Sequence, residues 1–378
     1  MSVLQVIQQG ELRGAEVFAL DLVRALRRQG RLGVGLVSLF GIEETYRQAV
    51  REAGLDVAAL RPDGRARGFD LRLVRAVREV IDEGGYQIVQ ANGAATLKYL
   101  AAARRLSRRP WRLVYRAIGM GSYWRRDPGR RWLYRWLFAQ PDRVVAVSQA
   151  VADDLQRAAG VDPRKVTVIP NGVDGTRVYG GPTERTRVRE ALRIAPHECV
   201  ALYAGNLAPE KNLHALLWIV RECRRQGAAV RALVVGDGPC RDALAADVEG
   251  LGLRDAVFLL PSQARIGPYL AAADLCVLPS LSEGMPALLI EAGLAGLPAV
   301  AYAVGGVPEV VEDGVTGLLA PPEDQEGLCR AVAGLVTDPA RRTAMGEAAR
   351  ARCGRFEIGG ISDAYSRFYA AVLDGRAS

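Results

Sequence analysis

The sequence predicts an α/β protein built as two doubly wound domains with parallel sheets. Three observations carry that prediction. The chain has 378 residues, enough for two separate cores at about 150 residues per domain. Apolar runs of strand length alternate with longer stretches of helical period from end to end. The alternation pauses once, over the turn-rich segment 171–182, and then restarts.

Taken in order, the first half reads as a strand over 3–8, a helix over 15–29 and a strand over 32–40. A helix over 70–83, a strand over 87–91, a helix over 94–106 and a strand over 112–117 follow. A strand over 143–147, a helix over 150–159 and a strand over 166–170 close this half. The second half offers strands over 199–204, 231–235, 256–260, 275–279 and 299–302, with helices between them. Strands that alternate with helices make parallel sheets covered on both faces. Ligands of such sheets bind outside the carboxyl ends of the strands, so the cleft between the two domains is the expected site.

Composition narrows the class. A hydrophobic share of 49% is too high for a disordered chain. No run of about 18 uncharged apolar residues occurs; the nearest candidate, 287–307, carries Glu291, Pro298 and four glycines. The N-terminus has no basic region ahead of its short apolar stretch, unlike a signal peptide. The six cysteines all lie in the second half and are never closer than 17 residues, which fits a reducing cytosol rather than a disulfide framework. With His197 and His214 as the only histidines, a histidine-based metal site is not expected. The net charge of +8 is uneven: residues 1–178 hold 30 basic and 18 acidic side chains, and the segment 98–143 holds 13 basic residues against Asp127 and Asp142. Such a block points to an anionic partner: a membrane surface, a nucleic acid or a phosphorylated substrate.

Four segments carry chemistry. Ser282 to Glu291 (SEGMPALLIE) follows a strand directly. Pro286 suits the first turn of a helix, and the N–H groups around Met285, Ala287 and Leu288 would then form a phosphate site. Glu291 falls among Leu288, Leu289, Ile290, Ala292 and Leu294, where an ionised carboxylate needs a partner. Ribose hydroxyls are one such partner; an internal salt bridge to an arginine is the other reading. Glu283, in the loop, is either functional or simply solvated. A second strand-to-helix turn, Tyr203 to Asn212 (YAGNLAPEKN), places Gly205 for close backbone approach and Lys211 where a helix begins. The chain has three lysines against 47 arginines, so an ammonium kept here suggests a phosphate contact, with a solvated lysine as the alternative. Gly236-Asp237-Gly238-Pro239 is a third strand-end turn, and Gly10 to Glu16 joins the first strand to its helix. Each of these two is either a ligand loop or a plain connection.

Together these segments resemble the retaining glycosyltransferases of family four, which have the GT-B fold, and the resemblance covers nearly the whole chain. It rests on the E-x7-E element from Glu283 to Glu291, the G-x-L-x-x-x-K turn from Gly205 to Lys211, and the Gly236-Asp237-Gly238-Pro239 turn. Pro170-Asn171-Gly172-Val173-Asp174 and Gly305-Gly306-Val307-Pro308-Glu309 complete it. The resemblance implies an acceptor domain over 1–175, a nucleotide-sugar domain over 183–355, and a last helix, about 361–373 within 358–378, that packs back on the first domain. It implies a UDP- or GDP-sugar donor, retention of configuration and no required metal or other cofactor. Glu283 would reach the donor sugar, Lys211 would stabilise the leaving diphosphate, and Glu291 would hold the ribose. The donor site would add Gly205, Asn206, Gly236, Pro261, Ser262, Gly284, Met285, Pro286, Ala287 and Leu288; Gly14, Asn92 and Arg116 would lie on the acceptor side.

This chain departs from the family pattern in three places. Asn206 stands where an arginine usually follows the glycine of the lysine turn, so one diphosphate contact is missing or supplied elsewhere. Asn92 and the stretch Ile118-Gly119-Met120-Gly121 occupy positions where the family often has histidines, and the first half has none. Retaining transfer does not require one, because the departing phosphate can take the acceptor proton. Four of the five tryptophans, Trp111, Trp124, Trp132 and Trp136, lie among Arg125, Arg126, Arg130, Arg131 and Arg135. A helix over 128–138 would put Trp132, Arg135 and Trp136 on one face, suited either to an anionic bilayer surface or to packing on its own domain. The expectation is a cytoplasmic enzyme, peripheral at the inner face of the cell membrane under the bilayer reading. Its acceptor would be lipid-linked, a glycan precursor or a small molecule, and no nucleic acid is expected. The rival readings are a sugar-nucleotide or polyanion binding protein, and an epimerase or phosphorylase on the same fold.

Overall fold

The computed structural model describes residues 1–30, 32–62, 69–121 and 131–375. The chain divides into two compact units: Met1–Gly172 with Ile358–Ser378, and Val173–Glu357.

The first unit is a seven-stranded parallel sheet. Its strands are β1 (Ser2–Ile7), β2 (Gly33–Ser38), β3 (Ala58–Ala59), β4 (Ile88–Asn92), β5 (Arg112–Ala117), β6 (Arg143–Ala146) and β7 (Val166–Val168). They lie in the order β3-β2-β1-β4-β5-β6-β7, with Val3 opposite Val34 on one side and Ile88 on the other. The chain builds outward from β1 through β2 and β3, then returns to place β4 on β1's other side. That reversal between β1 and β4 is the crevice where ligands of such sheets bind. Helix Gly14–Arg28 covers β1 with Phe18, Leu22, Val23 and Leu26. The last helix, Ile358–Asp374, packs into the same core through Ile361, Tyr365, Phe368, Tyr369 and Val372.

A buried polar network pins that last helix. Gln5 donates to the Tyr369 hydroxyl at 2.8 Å, and Tyr369 donates to Gln90 Oε1 at 2.8 Å. Gln90 Nε2 donates back to Gln5 Oε1 at 2.9 Å, and Asn92 Nδ2 donates to the same oxygen at 3.1 Å. Each amide is buried, so each bond avoids the desolvation cost of an unmade one.

The second unit is a six-stranded parallel sheet. Its strands are β8 (Cys199–Ala204), β9 (Val230–Val235), β10 (Val257–Leu260), β11 (Leu275–Leu278), β12 (Ala299–Tyr302) and β13 (Gly317–Ala320). The order β10-β9-β8-β11-β12-β13 puts the reversal between β8 and β11.

The structure corrects several expectations. Helix Glu44–Glu52, β3, helix Gly175–Val178 and β13 were not foreseen. β3 has two residues, too few for a periodic signal, β13 is a half-buried run of two leucines between glycine and alanine, and Gly175–Val178 is a single turn held by its Asp174 cap. Pro286 is not in the first turn of its helix but caps it, because its ψ of 114°, at φ −75°, is extended rather than helical. Lys211 does not open a helix; it closes the 3-10 turn Pro209–Lys211, and Asn212, at φ 50°, breaks the chain before helix Leu213–Arg225. The basic helix is described over Arg131–Ala139. Trp124, Arg125, Arg126, Arg130 and the side chain of Arg131 lie outside the described residues.

Candidate active site

The second unit gathers its singled-out residues at the β8/β11 reversal. Loop 205–211 leaves β8, loop 236–240 leaves β9, and loop 279–286 leaves β11. Backbone bonds stitch them together. Leu207 N–H donates to Asp237 O at 2.9 Å, Cys240 N–H to Leu207 O at 2.9 Å, and Leu281 N–H to Glu210 O at 2.8 Å. Gly306 N–H donates to Glu283 O at 3.3 Å and adds the loop after β12.

Two glycines permit this closeness. Gly236, at φ 150°, has no room for a Cβ, which would overlap the carbonyl oxygen of Gly205. Gly238, at φ 158°, would likewise run into Leu207. Gly205 itself is exposed at φ 148°. Arg241 fixes the turn by donating to Gly236 O at 2.7 Å and pairing with Asp237 at 3.2 Å.

Lys211 and Glu283 meet here. The ammonium donates to Glu283 Oε1 at 2.7 Å, and Glu283 is only 8% exposed. The solvated readings of both side chains are therefore excluded. A carboxylate this buried needs its cation, while an ammonium has three donors and is not exhausted by one acceptor. No side chain caps helix Ala287–Ala295, and N–H groups of a first turn have no acceptor within their helix. Gly284, Met285, Pro286 and Leu288 are buried around that start.

Glu291 lies about one turn along, among buried Leu288, Leu289, Ile290 and Ala292. Arg177 Nη2 meets its Oε1 at 3.1 Å, so the arginine partner foreseen as one reading is present. Asn206 receives the Tyr203 hydroxyl on its backbone oxygen at 2.8 Å, and its Oδ1 is buried without a hydrogen-bond partner. Pro261 and Ser262 are exposed in the loop after β10, where Ser262 N–H donates to Asp237 Oδ2 at 3.0 Å.

The first unit places its residues differently. Gly14 opens helix Gly14–Arg28 on the surface, and a side chain there would meet nothing. Asn92, expected to face an acceptor, is committed to the buried network around Gln5; the end of β4 points it into the domain. Arg116 is 1% exposed, 3.8 Å above the Phe18 ring, and donates to Asn171 Oδ1. Its Nε and Nη1 make no hydrogen bond among the described residues.

Three residues escaped the sequence reading. Glu16 lies in the first turn after the β1 loop, and burial pushes its carboxyl up to about 7 against the pull of Arg13 and Arg116. Ser280 is fully buried at the end of β11 with an unpartnered hydroxyl. Arg177 lies 114 positions from Glu291, a pairing no local pattern reveals. Among the described residues no group of three or more His, Cys, Asp or Glu side chains could hold a metal ion, and no helix is long and apolar enough to cross a membrane.

Comparison with known families matches residues 12–177 to Glycosyltransferase Family 4 and residues 184–352 to Glycosyl transferases group 1. The chain belongs to glycosyltransferase family 4. Among curated family members, D-inositol 3-phosphate glycosyltransferase of Segniliparus rotundus is 36% identical over 247 residues, 64% of this chain and 55% of that protein. The enzyme of the same name from Nocardia farcinica is 33% identical over 247 residues, 63% of this chain and 54% of that protein. The chain thus spans about half the length of the curated relatives it matches. Among solved structures, HepE of Anabaena in complex with UDP and glucose is 26% identical, with a TM-score of 0.85 over 98% of this chain and all of that one. Sucrose-phosphate synthase of Thermosynechococcus elongatus, at 20% identity and TM-score 0.83, shares the fold, as expected of the GT-B architecture.

Proposed function

We propose that this chain is a retaining glycosyltransferase that moves a sugar from a nucleotide diphosphate sugar, with UDP as the first candidate nucleotide, to an acceptor hydroxyl. The Lys211–Glu283 pair at the β8/β11 reversal carries the reading. Glu283 orients the donor sugar, and Lys211 meets the charge that grows on the diphosphate as the glycosidic bond breaks. The N–H groups at the start of helix Ala287–Ala295 hold the phosphates, and Glu291 accepts from the ribose hydroxyls. The acceptor proton passes to the departing phosphate oxygen, so the transfer balances without a protein base. HepE bound to UDP and glucose supports the choice of nucleotide.

Gly14, Asn92 and Arg116 belong to the acceptor side in this reading, Asn92 as support beneath the surface. Relatives named for D-inositol 3-phosphate make a phosphorylated polyol the first acceptor to try. One observation favours a membrane-bound acceptor as a second reading. Trp132 is 70% exposed and Trp136 39%, and Leu133 and Leu106 are exposed as well, on a strongly basic domain. Each basic group near an anionic surface contributes about 1 kcal/mol.

The test is product formation with UDP-, GDP- and ADP-sugars, each with inositol phosphate and with anionic vesicles as the acceptor source. Transfer, or slow hydrolysis of one donor, supports the enzyme; nucleotide binding without turnover of any donor favours the binding-protein reading and overturns this one. Vesicle binding that survives high salt in wild type and is lost in Trp132→Ser/Trp136→Ser supports the second reading, and its absence in wild type ends it.

A further inference from the structure

Glu291 sits in a helix that is apolar on both sides of it, and its carboxylate accepts from Arg177, which comes from a distant segment. Arg177 is delivered by the single turn Gly175–Val178. That turn is rigid for local reasons. The Asp174 carboxylate accepts from Thr176 N–H at 3.0 Å and from its hydroxyl at 2.6 Å, which closes the cap. Val173 N–H donates to Phe356 O at 3.0 Å and anchors the preceding residue.

The chain after Arg177 is seated as tightly. A Cβ on Gly180 would overlap the carbonyl oxygen of Gly267, and a Cβ on Gly267 would overlap that of Tyr179. The two glycines allow backbone to press on backbone where helix Gly267–Ala272 begins. Arg177 therefore reaches Glu291 from a base fixed on both sides. Its side chain is 23% exposed and that of Glu291 14%, so the pair stands at the margin of the core, partly open to solvent.

We propose that Arg177 is a positioning residue for the donor: by holding Oε1 it sets the plane of the Glu291 carboxylate, and so selects a nucleotide that carries a 2′-hydroxyl. The idea rests on the reading of Glu291 as the ribose acceptor given above. A carboxylate free to rotate on its three side-chain torsions would lose entropy on meeting two vicinal hydroxyls. One held by a guanidinium has its remaining lone pairs already aimed, which is the usual gain from preorganisation. A purely structural salt bridge would stabilise the fold and leave sugar discrimination untouched.

The test compares Kd for UDP, GDP and ADP with Kd for the matching 2′-deoxynucleotides, taking the base that binds wild type most tightly. Wild type should prefer the ribonucleotide by about tenfold or more, the loss expected when a bond to a charged acceptor is removed. Glu291→Gln should bring that ratio near one. Arg177→Met should lower it nearly as far, Arg177→Lys should restore part of it, and the double variant Arg177→Met/Glu291→Gln should go no lower than Glu291→Gln. Should Arg177→Met fail to fold, Arg177→Lys carries the comparison, because it keeps the charge and loses the planar fork. A wild-type ratio preserved in the Arg177 variants, with Glu291→Gln at one, overturns the inference and leaves the donor site standing. A ratio of one in wild type, or one unchanged in Glu291→Gln, overturns the ribose role of Glu291 and the inference with it.

Discussion

Replacing Lys211 with methionine separates what the ion pair does for the fold from what it does for the reaction. The ammonium lies 2.7 Å from a Glu283 oxygen, with the two side chains 21% and 9% exposed. Removing one partner of a fully buried pair costs about 3–5 kcal/mol, because the other charge stays behind uncompensated. Here water still reaches the lysine, which lowers the expected loss to about 2 kcal/mol. Urea unfolding of Lys211→Met should therefore show a lower midpoint with an unchanged slope. Lys211→Met/Glu283→Gln should recover about half of the loss or more, since no unpaired charge remains. Turnover should not recover. If Lys211 meets charge that develops on the leaving diphosphate, kcat should fall by about 100- to 1000-fold, with nucleotide affinity changing far less. A Lys211→Met protein as stable as wild type would refute the account of the ion pair. Intact kcat with weakened UDP binding would refute the role in the transition state.

Three further outcomes follow from the same structure. Gly236→Ala should lose about 2 kcal/mol or more in thermal unfolding, since its φ of 150° and the Gly205 carbonyl both oppose a side chain, whereas Gly14→Ala should be neutral or gain up to about 1 kcal/mol. Between 4.5 and about 7 the folded protein keeps a proton on Glu16 that the unfolded chain has released, so stability falls as pH rises through that window. Glu16→Gln removes the slope, and its advantage over wild type in Tm-derived stability should grow by about 2 kcal/mol from pH 5 to pH 8; a constant difference would contradict the burial of Glu16 beside Arg13, Glu11 and Arg116. Tyr369→Phe removes the hydroxyl shared by Gln5 and Gln90 and should cost about 1.5–3 kcal/mol in urea unfolding, with Gln5 amide signals newly exchange-broadened by NMR.

Period and punctuation alone determined most of the architecture. Parallel strands buried on both faces must be continuous apolar runs, so β1, β5, β8 and β12 were legible to within a residue or so at each end. The E-x7-E element and the lysine turn were legible because each follows a strand directly. The two residues of β3 show no alternation, and β13 is a half-buried run of two leucines between glycine and alanine, so neither was. Tertiary structure alone decided the partners. The bond between Lys211 and Glu283 crosses 72 positions, that between Arg177 and Glu291 crosses 114, and that between Gln5 and Tyr369 crosses 364. It also committed the Asn92 amide to a buried network, and raised the pKa of the Glu16 carboxyl by burial. Hydrophobic period is a property of neighbours along the chain, and so a sequence carries it openly. Charge pairing and desolvation depend on which strands the sheet order brings side by side, and that order exists only once the chain has folded.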